Sequence, residues 1–209
     1  MNVPNFLLAF NPGQELILNS SKMTLNPHPI GELVLTSGNL IVCDPLYLYK
    51  MPPFSVQFSP GRYPVILSLG WEDGEKFPTV VCAMLCLKEE NPVRWEIAVE
   101  PSQDPDSPEE TLIYRYGVDS GTSSFMDEDA FQAMDDSFEG ETTLGDLLID
   151  ELEKEENFQR WANMLVDEAT DANVVAFSSG FGDSYYDCYF GYDKEGNIVR
   201  VVTDFLFSN

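Results

Sequence analysis

Five aspartates stand where strand-like runs give way to turns: Asp44, Asp119, Asp127, Asp183 and Asp204. Carboxylate oxygens are the ligands that Mg²⁺ and Ca²⁺ prefer, and two or three brought together could activate water for hydrolysis. One expectation is therefore a divalent-metal-dependent hydrolase built on clustered aspartates. The competing expectation is local. Aspartate in Asp-Pro, Asp-Ser-Gly and Gly-Asp contexts caps turns by accepting hydrogen bonds from nearby backbone N–H groups. The spatial arrangement of the five separates the two: a cluster favours an enzyme, and dispersed caps favour binding.

Other catalytic templates are thin. His28 is the single histidine and lies between Pro27 and Pro29, so a triad or a Cys-His pair would have to use it. There is no phosphate-binding glycine loop and no dinucleotide fingerprint. Cys43, Cys82, Cys86 and Cys188 form no C-x-x-C pair. Cys82 and Cys86 sit four apart in an apolar run, which puts both on one face of a strand and too far apart to bond each other. Buried reduced thiols are expected. Two loops stand out, Gly117–Thr122 for its hydroxyl and carboxylate groups and Gly180–Tyr186 for aromatics interleaved with glycine. Either suits a tight turn or a recognition surface.

The strongest signal is charge. Residues 104–156 hold eighteen acidic residues and two basic ones, a local charge of 2 − 18 = −16 out of −25 for all 209 residues. Small soluble domains usually carry a net magnitude of roughly 2–8. Such a field repels nucleic-acid phosphates and anionic membranes and attracts cationic proteins. The expected function is that of a non-enzymatic acidic binding protein, an inhibitor or immunity-type partner of a basic protein. Asp135, Asp136, Glu139, Glu151, Glu155 and Glu156 are its rim charges. A variant is nucleic-acid mimicry, and a small-molecule sensor using Trp71, Trp95 or Tyr185 is a further alternative. No cofactor is expected unless Mg²⁺ or Ca²⁺ sits on the aspartates. The first ten residues lack a basic stretch, and no run approaches the ~20 apolar residues of a membrane helix. A cytoplasmic location is expected.

The elements that must position these groups read as one α+β domain over residues 1–209. Its antiparallel strands, sandwich- or half-barrel-like, carry an acidic helical insertion packed on the sheet. Residues 1–30 read as a wrapping segment. Leu33–Thr36 and Asn39–Val42 flank Ser37-Gly38 and predict a hairpin. Arg62–Leu69, Thr79–Leu87, Val93–Val99, Leu112–Tyr116, Asn173–Ser178, Tyr185–Phe190 and Asn197–Phe205 predict strands. Thr79–Leu87 is almost wholly apolar and should be central. Residues 127–169 form the helical region. Asp127 caps one helix, Thr143 with Asp146 forms a capping box for another, and Leu144, Leu148, Leu152, Phe158, Trp161 and Leu165 make an apolar stripe.

Several phrases then fall in a distinctive order: Gly38–Pro45, Pro60–Val65, Trp95–Ala98, Gly117–Thr122, Phe125–Asp127, Gly180–Tyr185 and Val201–Phe205. Together they resemble an uncharacterised bacterial domain family of unknown function. That family shows G-x-L-x-V-x-DP, GVDSGT, GxGDGxY and VVxDF motifs. Ser184 departs from its second glycine. The resemblance spans residues 31–205 and implies a single bacterial domain with no established activity.

Overall fold

A computed structural model of the protein describes residues 3–19, 21–48, 51–98, 115–139, 142–154 and 160–208. In chain order the described strands are β1 (Gln14–Leu18), β2 (Ser21–Leu35), β3 (Leu40–Cys43), β4 (Gly61–Glu72), β5 (Thr79–Cys86), β6 (Arg94–Ile97), β7 (Arg115–Val118) and β8 (Thr122–Asp127). Two helices follow, α1 (Glu128–Asp136) and α2 (Leu144–Leu152). The chain then returns to strand as β9 (Trp161–Asp167), β10 (Ala172–Ser178), β11 (Ser184–Tyr192) and β12 (Ile198–Asp204). A first sheet runs β1-β2-β4-β5-β12-β11, with β6 and β7 end to end along the outer edge of β11. A second sheet runs β3-β8-β10-β9. The architecture is α+β with antiparallel strands dominant and the larger sheet curled as a half-barrel.

Side-chain alternation explains three layers. In the second sheet, Phe125, Val175 and Phe177 face the first sheet and join Leu33, Leu67, Leu85 and Val201 in the main core. Their neighbours Met126, Val174 and Ala176 face the other way and pack with Met134 of α1 and Leu148 of α2. Successive strand residues point to opposite faces, so a strand covered on both sides is buried along its whole length. The burial of all six residues of β8 follows from that. The two caps expected from sequence are present. Asp127 accepts from the Asp129 N–H, and Thr143 with Asp146 forms the reciprocal capping box.

Three expectations need correction. Leu33–Thr36 and Asn39–Val42 do not pair: β2 runs beside β4, whereas β3 runs beside β8. Ser37 and Gly38 form the corner where the chain leaves one sheet for the other. The cause is the Asp127 carboxylate, which accepts from the backbone N–H groups of both residues and turns the chain aside. Gly38, at φ +84°, is packed so closely that a Cβ would lie 2.1 Å from the Phe58 carbonyl oxygen. Residues 161–167, expected in the helical region, form β9; Trp161 faces the main core while Ala162 and Met164 face the helices. The period of two wins because β9 covers the open edge of β10. The N-terminal thirty residues are not merely a wrap. After a short 3-10 turn at Phe6–Phe10 they form β1 and most of β2. The expected strand at residues 112–116 lies partly outside the described residues and is seen from Arg115 onward.

The long strand β2 holds the sheets together. Its pairing with β1 stops at Leu25, so Pro27 and Pro29 lie where that edge has no partner strand to serve. Further on, a side chain replaces a strand. The Val34 N–H donates to Asn173 Oδ1 at 2.8 Å, and Asn173 Nδ2 donates to the Glu32 carbonyl at 2.8 Å. Asn163 Nδ2 donates to the same carbonyl at 3.2 Å. Gly31 (φ +116°) admits this amide pair, since a Cβ there would sit 2.4 Å from Asn163 Nδ2. Replacement Asn173→Ala leaves the Val34 donor buried without a partner. It should lower the unfolding free energy by about 2–4 kcal/mol in denaturant titration; a loss below about 1 kcal/mol would show that the clamp is dispensable.

Candidate functional site

The five aspartates do not gather into one cluster, and three of them organise backbone. Asp44, Asp127 and Asp204 are 1%, 0% and 7% exposed. Among the described residues none of the three pairs with a lysine or arginine. Each is held by donors instead, as a buried carboxylate requires.

Asp44 ends β3. Its Oδ1 accepts from the Leu46 and Tyr47 N–H groups at 2.9 and 3.2 Å and from Ser120 Oγ at 2.7 Å. Its Oδ2 accepts from the Asp119 and Ser120 N–H groups at 2.9 and 2.7 Å. Asp119, with its side chain in solvent, therefore meets Asp44 through its backbone. Asp127 accepts from Thr36 Oγ1 at 2.9 Å, from Ser37 and Gly38 as above, and from the Asp129 N–H at 3.1 Å. Asp204 accepts from the Phe207 and Ser208 N–H groups at 2.8 and 3.1 Å, from Ser208 Oγ, and from Cys82 Sγ at 3.5 Å. Burial raises its carboxyl above the ordinary range, and the Ser208 hydroxyl works against that rise. Asp183 is exposed. Among the described residues no three His, Cys, Asp or Glu side chains come together as a metal-holding group.

The thiols are reduced and packed. Burial pushes Cys43 up to about 12 and Cys82 well above its ordinary value, which makes both poor nucleophiles. The His28 ring lies 4.6 Å from that of Trp161, centroid to centroid.

The two loops picked out by their chemistry meet. The Ser179 N–H donates to the Gly121 carbonyl at 3.0 Å, and a Cβ on Gly121 would lie 3.7 Å from Gly182 Cα. Tyr186 Oη donates to the carbonyls of Ser179 and Gly182, closing the second loop on itself. Gly180, at φ +56°, lies against Phe205, whose Cβ would be 2.8 Å from an added one. A buried hydroxyl chain ties the same corner to the core, with Tyr116 Oη 2.7 Å from Ser123 Oγ and 2.6 Å from Thr203 Oγ1. Beside the second loop opens a cleft of about 370 Å³, bounded by residues 181–187 and 204–208. Sequence reasoning singled out the loop and, in its partner wall at the end of β12, Asp204 alone; Phe205, Leu206 and Ser208 carry no local signal of a site.

The rim charges lie elsewhere, on the outer helical layer. Asp135 and Asp136 close α1 and are exposed. Glu151 ends α2 and pairs with Lys154 at 2.5 Å. Glu139 belongs to a 3-10 turn after α1, and Glu155 and Glu156 lie outside the described residues.

The Asp44 bond set yields a direct test. Asp44→Ala should cost about 2–4 kcal/mol of stability, because it strands several part-buried donors at once. In hydrogen exchange the amides of Asp119 and Ser120 should lose protection before those of β8 and β10. Equal protection in both proteins would mean that the loop holds itself without the carboxylate.

No helix among the described residues is long and apolar enough to cross a membrane. Neither the curated proteins nor the solved structures contain a match to this chain. A family model described as "Protein of unknown function (DUF4241)" matches residues 33–203, which takes in every strand from the end of β2 to β12 and both helices. The chain belongs to that family.

Proposed function

We propose that the protein is an acidic binding protein, of inhibitor or immunity type, that receives a basic protein on its helical layer. The observation that carries this reading is a set of charges placed against the helices' own interest. The C=O ends of a helix carry negative partial charge, so acids there are unfavourable and bases are favoured. Here α1 ends on Asp135 and Asp136, and the last turn of α2 carries Asp150 and Glu151 with Glu153 as its cap; neither last turn carries a base, and Lys154 follows the cap of α2. A surface serving solubility alone would gain by placing these acids elsewhere. A local rule broken without structural return points to a site under functional demand.

The distribution of opposite charge supports the same reading. Residues 127–154 contain eleven acidic residues and one basic residue, Lys154. Strands and loops of the first sheet carry Lys22, Arg62, Lys76, Lys88, Arg94, Arg115, Lys194 and Arg200. There acids and bases mix, as in Lys22–Glu15 at 2.6 Å and Lys194–Glu195 at 3.4 Å. Exposed Phe138, Leu147 and Ile149 stand among the helical carboxylates and add apolar contact area. A one-sided field of this kind speeds encounter with a cationic partner by about 10–10³ and loses that advantage in salt. Nucleic-acid mimicry is a special case of this reading, separated from it by competition with duplex DNA.

Two engineered proteins test it. One neutralises Asp135, Asp136, Asp150 and Glu153 to their amides; the other does the same at Glu72, Glu89, Glu90 and Glu96 of the first sheet. The helical variant should be stabilised, by about 0.5–1 kcal/mol or more in total. It should also fail to retain the basic proteins that the wild type holds at low ionic strength from its own cell extract. The control should retain them. Equal retention by both variants, or no basic protein held by the wild type, would contradict the proposal.

A further inference from the structure

The cleft beside the second loop is a separate feature and has its own chemistry. Phe181 and Tyr185 stand at it with 69% and 70% of their surface in solvent. Exposure on that scale is unusual for two large aromatics only four residues apart, one in the turn and one at the start of β11, where hydrophobic gain would fold them inward. The turn does not permit that. Gly180 is wedged under Phe205 and Leu206, and Tyr186 Oη holds the carbonyls of Ser179 and Gly182. Tyr186 itself turns inward, so the strand alternation sends Tyr185 outward. The aromatics are thus presented by a rigid frame.

Between them and the end of β12 lie carboxylates. Asp183 is exposed and accepts no hydrogen bond among the described residues. The buried Asp204 belongs to the same wall, held by the N–H groups of Phe207 and Ser208. No lysine or arginine is among the described lining residues. Aromatic rings with unneutralised carboxylates form the standard receptor for an organic cation. The ring quadrupole attracts the charge and the carboxylate accepts its N–H groups. A planar guanidinium satisfies both at once, stacking on a ring while its fork meets a carboxylate, which a compact ammonium does less well. The cleft is also open. Pockets for small molecules enclose most of their ligand, whereas here the aromatic rims remain largely in solvent, so the fitting occupant is a side chain offered from a larger body.

We infer that this cleft binds the guanidinium of an arginine side chain presented by a peptide or protein, using Phe181, Tyr185 and Asp183. The inference rests on the cleft and not on the helical layer, and either can fail without the other.

The test is a titration of the isotope-labelled full chain with the capped tripeptide acetyl-alanyl-arginyl-alanine amide, followed by amide NMR. The neutral citrulline tripeptide and free L-arginine serve as the comparison arms. The arginyl peptide should move the resonances of residues 181–187 and 205–208, and the citrulline peptide should leave them in place. Asp183→Asn should weaken binding about tenfold and Tyr185→Ala about threefold. Both positions are exposed, so the variants should keep the wild-type spectrum elsewhere. The double change Asp135→Asn and Asp136→Asn should not alter the titration. The inference is overturned if the arginyl peptide does not bind, if its shifts centre on residues 128–152, or if citrulline binds equally. It is overturned too if free L-arginine binds as tightly as the peptide, which would make the cleft a small-molecule site.

Discussion

Buried carboxylates that no lysine or arginine pairs with among the described residues, those of Asp44, Asp127 and Asp204, are the constraint that organises this protein. A carboxylate taken out of water must recover several hydrogen bonds or it will not stay ionised. With thirty-six acidic side chains against eleven basic ones, ion pairing cannot supply those bonds throughout. Backbone N–H groups supply them instead. Asp44 ties the end of β3 to the loop before β8, Asp127 ties the end of β8 to the turn after β2, and Asp204 ties the end of β12 to the segment that follows. Each carboxylate therefore marks a corner where the chain leaves a strand for another layer or for a turn. The sandwich depends on these corners, because β2 and β3 are consecutive in sequence yet belong to different sheets.

This explains why so much of the fold could be read and where reading stopped. Local rules made the caps of both helices visible, since Asp127 and the Thr143–Asp146 pair act within one turn. The central place of β5 followed from an unbroken apolar run. What failed was non-local. The turn at Ser37-Gly38 carries ideal hairpin residues, and only Asp127, ninety residues away, sends the chain elsewhere. Trp161 and Leu165 fit a helical stripe as well as a strand, and the decision falls to the uncovered edge of β10. Pro27 and Pro29 disguise β2 because a free strand edge cannot be recognised without its neighbours.

The site followed the same division. That the five aspartates sit at turns was legible; that Asp44 and Asp127 anchor distant backbone was not, because backbone donors reach them from 76 and 90 residues away. The loop rich in glycine and aromatics was legible as unusual. The cleft it forms was not, since its second wall is the tail of β12, where Phe205 to Ser208 look like an ordinary strand end. The acidic segment was legible in amount but not in direction. Its helices lie on the outer face of the second sheet, and they carry acids at both ends, the C-terminal ends included, where helix electrostatics oppose them.

A field confined to one layer is the claim on which the function depends, and it can be measured without a partner. Paired cationic and anionic paramagnetic cosolutes report the potential near each backbone amide through their relative effects on relaxation. The amides of Glu128–Leu152 should show the most negative values in the protein, well below those of β4, β5 and β12. Uniform values over both outer faces would contradict the account, because a carboxylate surface of even strength gives a basic partner no side to choose.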